Sequence, residues 1–219
     1  MNENEFAVIF DMDGVLIDNA EYHEISWKVF FKRRGIELSN KEFKETVFGR
    51  TGRDALKLMF KDVTEHQIKE YAAEVNTIYR EEYAPFIKEV PGLTQFLSHL
   101  KHNKIKAALA TSAPSVNVEY VMDTLNIKEY FTSIVDDTMV TKGKPDPEVY
   151  LLSAKALNRE PSKCVVFEDS ISGIQSARNA GMKVVGVATT HKPAELNNVD
   201  KTIENFINLT AADIISLYK

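Results

Sequence analysis

The chain has 219 residues, 44% of them hydrophobic and 27% charged, with a net charge of −5, enough to bury a full core as one large domain or as a domain with an insertion. The acidic balance, with no basic stripe, argues against nucleic acid as the main partner, and a single cysteine, Cys164, excludes an internal disulfide and a Cys-rich zinc site. No apolar run approaches the roughly 20 residues of a membrane span, and the opening MNENEF lacks the basic and apolar regions of a signal peptide, so a cytoplasmic protein without a membrane partner is expected.

In chain order, the first predicted strand is Phe6–Phe10, a short apolar run that delivers Asp11 and Asp13 onto Gly14. An unbroken run rich in β-branched and aromatic residues is the pattern of a strand buried on both faces. If the chain stays extended, two carboxylates one residue apart point the same way. Two like charges so placed need a cation or a shared proton, and a hard divalent ion such as Mg²⁺ suits oxygen ligands. Asp13-Gly14 is also ordinary turn chemistry, but that leaves Asp11 unexplained.

From about Asn19 to Pro85 no convincing strand appears. The interval holds four amphipathic stretches, Glu21–Arg34, Asn40–Val47, Gly52–Phe60 and Glu65–Tyr83, and is predicted to be a helical insertion. After it, helical stretches at Gly92–His102, Val116–Leu125, Pro147–Leu157 and Gly173–Ala180 alternate with apolar runs at Ile105–Ala110, Ser133–Val135, Cys164–Phe167 and Lys183–Val187. Such alternation implies right-handed crossovers and a parallel sheet covered by helices. The expected fold is therefore α/β, a doubly wound parallel sheet of Rossmann type. Residues 1–18 and 86–219 would form the core domain and residues 19–85 a small helical domain. Pro147 suits the first turn of its helix, and Gly181 is placed to end one.

Three further predicted strand ends carry chemistry. Thr111-Ser112 follows the second strand, Glu168-Asp169-Ser170 follows the fourth, and Lys142-Gly-Lys144-Pro-Asp-Pro147 lies between them. In a doubly wound sheet these carboxyl ends meet on one edge, where ligands bind. Taken singly, Thr111-Ser112 and Glu168-Asp169-Ser170 are helix-capping chemistry, and Lys144 is a loop lysine with Lys142 as a rival. Taken together, each has a part in phosphoryl transfer. Asp11 can attack phosphorus; Asp13 can act as general acid and then base. Asp11 and Asp169 can hold Mg²⁺ with Glu168 supporting them, while Lys144 and Thr111 stabilise the phosphoryl oxygens.

Asp11-Met-Asp13-Gly-Val, Thr111, Lys144-Pro145 and Glu168-Asp169 resemble, in order, the four motifs of the haloacid dehalogenase (HAD) superfamily. The helical insertion resembles its C1-type cap. Asp18-Asn-Ala-Glu-Tyr-His23, Trp27 and Glu168-Asp-Ser-Ile-Ser-Gly-Ile174 resemble the β-phosphoglucomutase-like branch. The resemblance implies that Asp11 is the nucleophile, Asp13 the acid/base, and Thr111 and Lys144 the phosphate binders. It also implies a Mg²⁺ site formed by Asp11, the backbone carbonyl of Asp13, and Asp169, with Glu168 close by. A dehalogenase proper is a poor match, because Asp13 belongs to the phosphotransferases of the superfamily.

The same resemblance separates hydrolase from mutase. Phe48 stands where the mutases carry a cap-loop lysine, and Arg53 matches their arginine only with one extra residue. A lysine expected near Asn76 is missing, and Pro114-Ser115 replaces a Lys-Asn pair. His23 resembles a mutase histidine that helps gate the acid/base, though a partly buried helix histidine beside Trp27 accounts for it equally. Arg50 and Arg53 offer forked donors to an anionic leaving group, Ser112 adjoins the phosphate binder, and Gly49 and Gly52 suggest a backbone made for close approach. The departures favour a phosphatase acting on a small phosphorylated metabolite of the sugar-phosphate kind. A β-phosphoglucomutase and a non-catalytic binding module are the alternatives, and nothing in the sequence calls for more than a monomer.

Overall fold

The first apolar run forms β1 (Ala7–Phe10), whose four residues are all buried. A computed structural model describes residues 6–47 and 51–218. Within them β1 is joined by β2 (Lys106–Ala110), β3 (Ser133–Val135), β4 (Cys164–Glu168), β5 (Lys183–Val187) and β6 (Lys201–Ile203). All pairings are parallel and the sheet order is β3-β2-β1-β4-β5-β6. The order reverses at β1, between β2 and β4, which makes the carboxyl ends of these three strands the topological switch point. The expected doubly wound α/β fold is what forms.

The described helices are α1 (Ala20–Lys32), α2 (Asn40–Thr46), α3 (Gly52–Met59), α4 (Glu65–Tyr83), α5 (Leu93–His102), α6 (Ser115–Leu125), α7 (Glu148–Ala156), α8 (Ile171–Asn179) and α9 (Ala211–Ile215). Strand alternation divides the core. Ala7, Ile9, Val166 and Val184 pack with Val149 and Ala154 of α7 and with Ile174 and Ala177 of α8. Phe10 turns to the other face, stacking on Phe167 at 5.0 Å between ring centroids and meeting Phe96 of α5 at 6.2 Å and Phe206 at 6.1 Å. Gly181 ends α8 with φ +76°, and the Gly181 and Met182 amides donate to Arg178 O and Ala177 O. This is the Schellman pattern anticipated for that glycine.

The chain divides into two compact units, Met1–Asp18 with Lys88–Lys219, and Asn19–Ile87. The second contains α1 to α4 around its own core, with Phe30, Phe31, Phe43, Leu56, Ile68 and Val75 buried. Capping boxes at Ser39/Glu42 and Thr64/Gln67 start α2 and α4, satisfying backbone donors that a helix start leaves open. The Arg34 guanidinium lies 3.8 Å from the Phe30 ring centroid and pairs with Glu74. Among the described residues no helix is long and apolar enough to cross a membrane.

Two elements have no counterpart in the sequence-based expectation. β6 is three half-buried residues, Lys201-Thr202-Ile203, paired on one side only, with no apolar run to mark it. α9 spans five residues and is carried by its Thr210/Asp213 capping box and the burial of Ala211 and Ile214.

Cys164 opens β4 fully buried, and burial pushes its thiol up to about 12. The native protein is therefore expected to leave a thiol-exchange reagent at pH 8 unconsumed, with one equivalent reacting in urea. Fast native labelling would show that β4 opens readily.

Candidate active site

Register brings the site together. Phe10 pairs with Leu109 and Phe167, so the next residue along β1, Asp11, comes level with Ala110 and Glu168. The Asp11 amide donates to Phe167 O at 3.0 Å, extending the ladder by one bond. Beyond it the chain turns: Met12 O accepts from the amides of Val15, Leu16 and Ile17. The extended geometry expected to aim Asp11 and Asp13 the same way thus ends at Asp11. Asp13 belongs to the turn and is half-buried, whereas Asp11 is buried.

Gly14 has φ +72°, and a Cβ there would lie 2.0 Å from Asp169 Oδ2. Only glycine allows both this backbone and this approach. The turn backbone is thereby held against the Asp169 carboxylate. Thr189 Oγ1 donates to Gly14 O, and the Thr190 hydroxyl bonds the Asp169 side chain.

Lys144 Nζ lies 3.0 Å from Asp11 Oδ1 and 2.6 Å from Glu168 Oε1, with Ala110 O at 3.5 Å. Its side chain is almost wholly buried. Burial pushes a lysine pKa down, but Asp11 and Glu168 outweigh it and hold Lys144 charged. Lys142 is exposed and pairs with Asp146 at 3.6 Å, so of the two lysines only Lys144 reaches Asp11. Glu168 Oε1 also accepts from Tyr150 OH at 2.8 Å, and Oε2 accepts from the Ser170 amide at 2.8 Å and Ser170 Oγ at 2.9 Å. Burial pushes the Glu168 carboxyl up, but Lys144 and these donors bring it below its ordinary value.

At Asp11 and Asp169 the compensation from Lys144 and Thr190 falls short of burial. Burial, followed by Lys144 acting downward and Glu168 and Asp13 upward, leaves Asp11 raised. Burial and the charges of Glu168 and Asp11 raise Asp169 well above the carboxylate range. Oxygens of Asp11, Glu168 and Asp169 lie within 4.8 Å of one another. Three buried carboxylates and one ammonium leave two negative charges if all are ionised, and the donors are hard oxygens. This set fits a divalent cation of the Mg²⁺ class. The Asp13 carboxylate is not in this group of three.

Thr111 is buried just past β2, and its Oγ1 accepts from the Ala113 amide at 3.0 Å. That bond orients the hydroxyl and leaves its hydrogen as a donor. Ser112 beside it is exposed. The helix that follows starts from Pro114 with no side-chain cap, so capping does not explain Thr111.

Within the helical unit, the expected residues have the following neighbours. His23 stacks on Tyr79 at 4.3 Å, and its Nε2 lies 3.2 Å from Asn19 Nδ2, which also donates to Tyr79 OH. Arg53 is exposed and ion-paired with Glu65, which also meets Lys57 at 3.3 Å. Gly52 does make a close approach, to the Trp27 ring, 3.4 Å from where a Cβ would sit. Gly49 and Arg50, like Phe48, lie outside the described residues.

Tyr150 and Thr190 touch the acids without having been singled out from the sequence, while Ser170, read as capping chemistry, both caps α8 and holds Glu168. Tyr150 and Thr190 carried no local signal, since a tyrosine in an apolar helix face and a threonine past a strand are commonplace. Gly173 was visible as part of a motif. A Cβ on it would fall 1.6 Å from Glu168 Oε1, which gives that glycine its physical reason.

The model of the haloacid dehalogenase-like hydrolase family matches residues 8–187. A phosphorylated carbohydrates phosphatase of Thermotoga maritima is 32% identical over 218 residues, covering 90% of this chain and 99% of that protein. A beta-phosphoglucomutase of Bacillus subtilis is 34% identical over 189 residues, covering 83% of this chain and 82% of the other. The crystal structure of a HAD hydrolase, family IA, variant 3, from Entamoeba histolytica superposes with a TM-score of 0.90 at 33% identity, covering 97% of this chain and 98% of that one. With its four motifs, its switch-point acids and these relatives, the chain belongs to the haloacid dehalogenase-like hydrolase family of enzymes.

Proposed function

We propose that the protein is a Mg²⁺-dependent phosphatase acting on a small phosphorylated metabolite, of the sugar-phosphate kind, through an aspartyl-phosphate at Asp11. The observation that carries this is the convergence of Asp11, Lys144 and Asp169 at the carboxyl edge of the sheet, with Thr111 past the neighbouring strand. The Thermotoga relative's name adds the substrate class.

In this mechanism an Asp11 oxygen attacks phosphorus and the bond to the leaving oxygen breaks. Asp13 gives that oxygen its proton. Asp13 then takes a proton from water, whose oxygen attacks the phosphorus and releases Asp11. Lys144 neutralises charge on the phosphoryl oxygens, and Thr111 donates to one of them. Asp11, Asp169 and the backbone carbonyl of Asp13 would hold Mg²⁺, which when bound supplies the remaining positive charge.

The Bacillus relative keeps a mutase as the second candidate. Against it, His23 packs on Tyr79 and Asn19, and the lysine that mutases carry near Asn76 is missing. A panel of phosphate esters with Mg²⁺, including β-glucose 1-phosphate with a trace of the 1,6-bisphosphate, separates the two. Free phosphate, lost on adding EDTA and regained with excess Mg²⁺, is the expected result. Formation of glucose 6-phosphate instead would make the enzyme a mutase, and activity that survives EDTA would remove the metal.

A further inference from the structure

We propose that Tyr150 is a positioning residue, its hydroxyl fixing Glu168 as the counter-ion of Lys144 and so keeping the Lys144 ammonium shared with Asp11. Its catalytic consequence rests on the phosphoryl-transfer role given above to Asp11 and Lys144.

Lys144 faces two anions and lies nearer Glu168, at 2.6 Å, than Asp11, at 3.0 Å. Left alone with Glu168, a lysine on a flexible stem pairs with the closer carboxylate and drifts from the other. Two features oppose this. Tyr150 OH donates to the same Oε1 that Lys144 touches, at 2.8 Å, so part of that oxygen's charge is already satisfied. The Tyr150 ring lies under the ammonium, with Nζ 4.9 Å from its centroid, within reach of a cation–π contact. Ser170 holds the other oxygen, Oε2, through its amide and hydroxyl. The Glu168 carboxylate therefore has four donors on two oxygens, and any rotation breaks bonds at both.

Core packing alone does not call for this hydroxyl. Tyr150 is fully buried on α7 among Ile9, Ala110 and Val166, where phenylalanine would fill the ring's volume without a polar atom to satisfy. The hydroxyl is aimed at Glu168, 18 residues along the chain. No local periodicity records that partnership.

Tyr150→Phe tests this, since it keeps the ring and removes only the donor. With saturating Mg²⁺, kcat is expected to fall about tenfold, with KM within about twofold and the melting temperature within a few degrees. In a double-mutant cycle with Glu168→Gln, removing the hydroxyl is expected to cost little further, because the positioned group is already altered. A purely structural hydroxyl would instead add its cost in full, and additive losses or an unchanged kcat would overturn the proposal. The crystal structure of Tyr150→Phe reads the same point without activity: Lys144 Nζ should leave hydrogen-bond reach of Asp11 Oδ1, and an undisplaced ammonium sinks the idea. If the wild-type protein turns over no phosphate ester, the proposed function fails, while the crystallographic comparison still decides Tyr150.

Discussion

Asp11→Asn is expected to lower turnover by roughly a thousandfold or more, the scale of losing a covalent nucleophile, and to leave the fold intact. An amide retains the side chain's shape but has no anionic oxygen to form the bond to phosphorus. Stability should hold for a separate reason. Burial raises the Asp11 carboxyl, with Glu168 and Asp13 reinforcing the effect against Lys144, so its ionised form is held at a cost when no cation is present. Asparagine removes that cost, and Lys144 keeps Glu168 at 2.6 Å, so no buried charge is orphaned. Steady-state kinetics with a phosphate-release assay and a thermal melt provide the two readings. Turnover within tenfold of wild type would exclude Asp11 as nucleophile; a collapsed melting temperature would mean that the carboxylate holds the fold as well.

Gly173→Ala should destabilise the protein by about 3 kcal/mol, although helix propensity alone has the opposite sign. Alanine in a helix is favoured over glycine by about 1 kcal/mol. Here the added Cβ would lie 1.6 Å from Glu168 Oε1 and 2.0 Å from its Cδ, distances at which something must move. Neither neighbour moves cheaply. Glu168 is fully buried and held by Lys144, Tyr150 and Ser170, and Gly173 is tied to Ser170 Oγ through its amide. Overpacking costs about 1–3 kcal/mol, and each displaced charge-assisted hydrogen bond about 1.5–3 kcal/mol; together these exceed the propensity gain. Because Glu168 carries Lys144, the loss should also reach activity, at least about tenfold if Lys144 leaves Asp11. Urea denaturation of Gly173→Ala checks the sign, and a stabilised variant would mean that α8 can slide off the carboxylate.

Much of the core was legible because burial leaves a one-dimensional trace. The strand at Ser133–Val135 and that at Lys183–Val187 were read with their final bounds, as was α4 at Glu65–Tyr83. Their apolar runs or helical spacing are direct consequences of facing a core. β6 escaped because Lys201-Thr202-Ile203 is half-buried and carries one apolar residue, so no apolar run marks it, and α9 because five residues hold too few side chains for a helical period. The acids were legible for a different reason: Asp11 and Glu168-Asp169 sit at the ends of apolar strands, where a doubly wound sheet gathers its ligands.

Partnership across space was not legible. Gly52 was read as a point of close approach and Arg53 as a donor to an anion, but neither reading named the partners found within the helical unit, Trp27 for Gly52 and Glu65 for Arg53. Asp11 and Asp13 were expected to point the same way if the chain stayed extended, yet the Met12 carbonyl gathers three amides and turns the chain first. The sequence by itself determined the fold class, the identity of the charged groups and the strand ends that carry them, since periodicity and spacing are properties of neighbours along the chain. Only the tertiary structure decided that Lys144 rather than Lys142 reaches Asp11, that Tyr150 and Ser170 complete the Glu168 carboxylate, and that Gly14 and Gly173 are there to make room. A hydrogen bond or a forbidden Cβ depends on approach to within a few ångströms; Tyr150 and Glu168, 18 positions apart, and Gly14 and Asp169, 155 apart (169 − 14), acquire that only when the sheet sets its register.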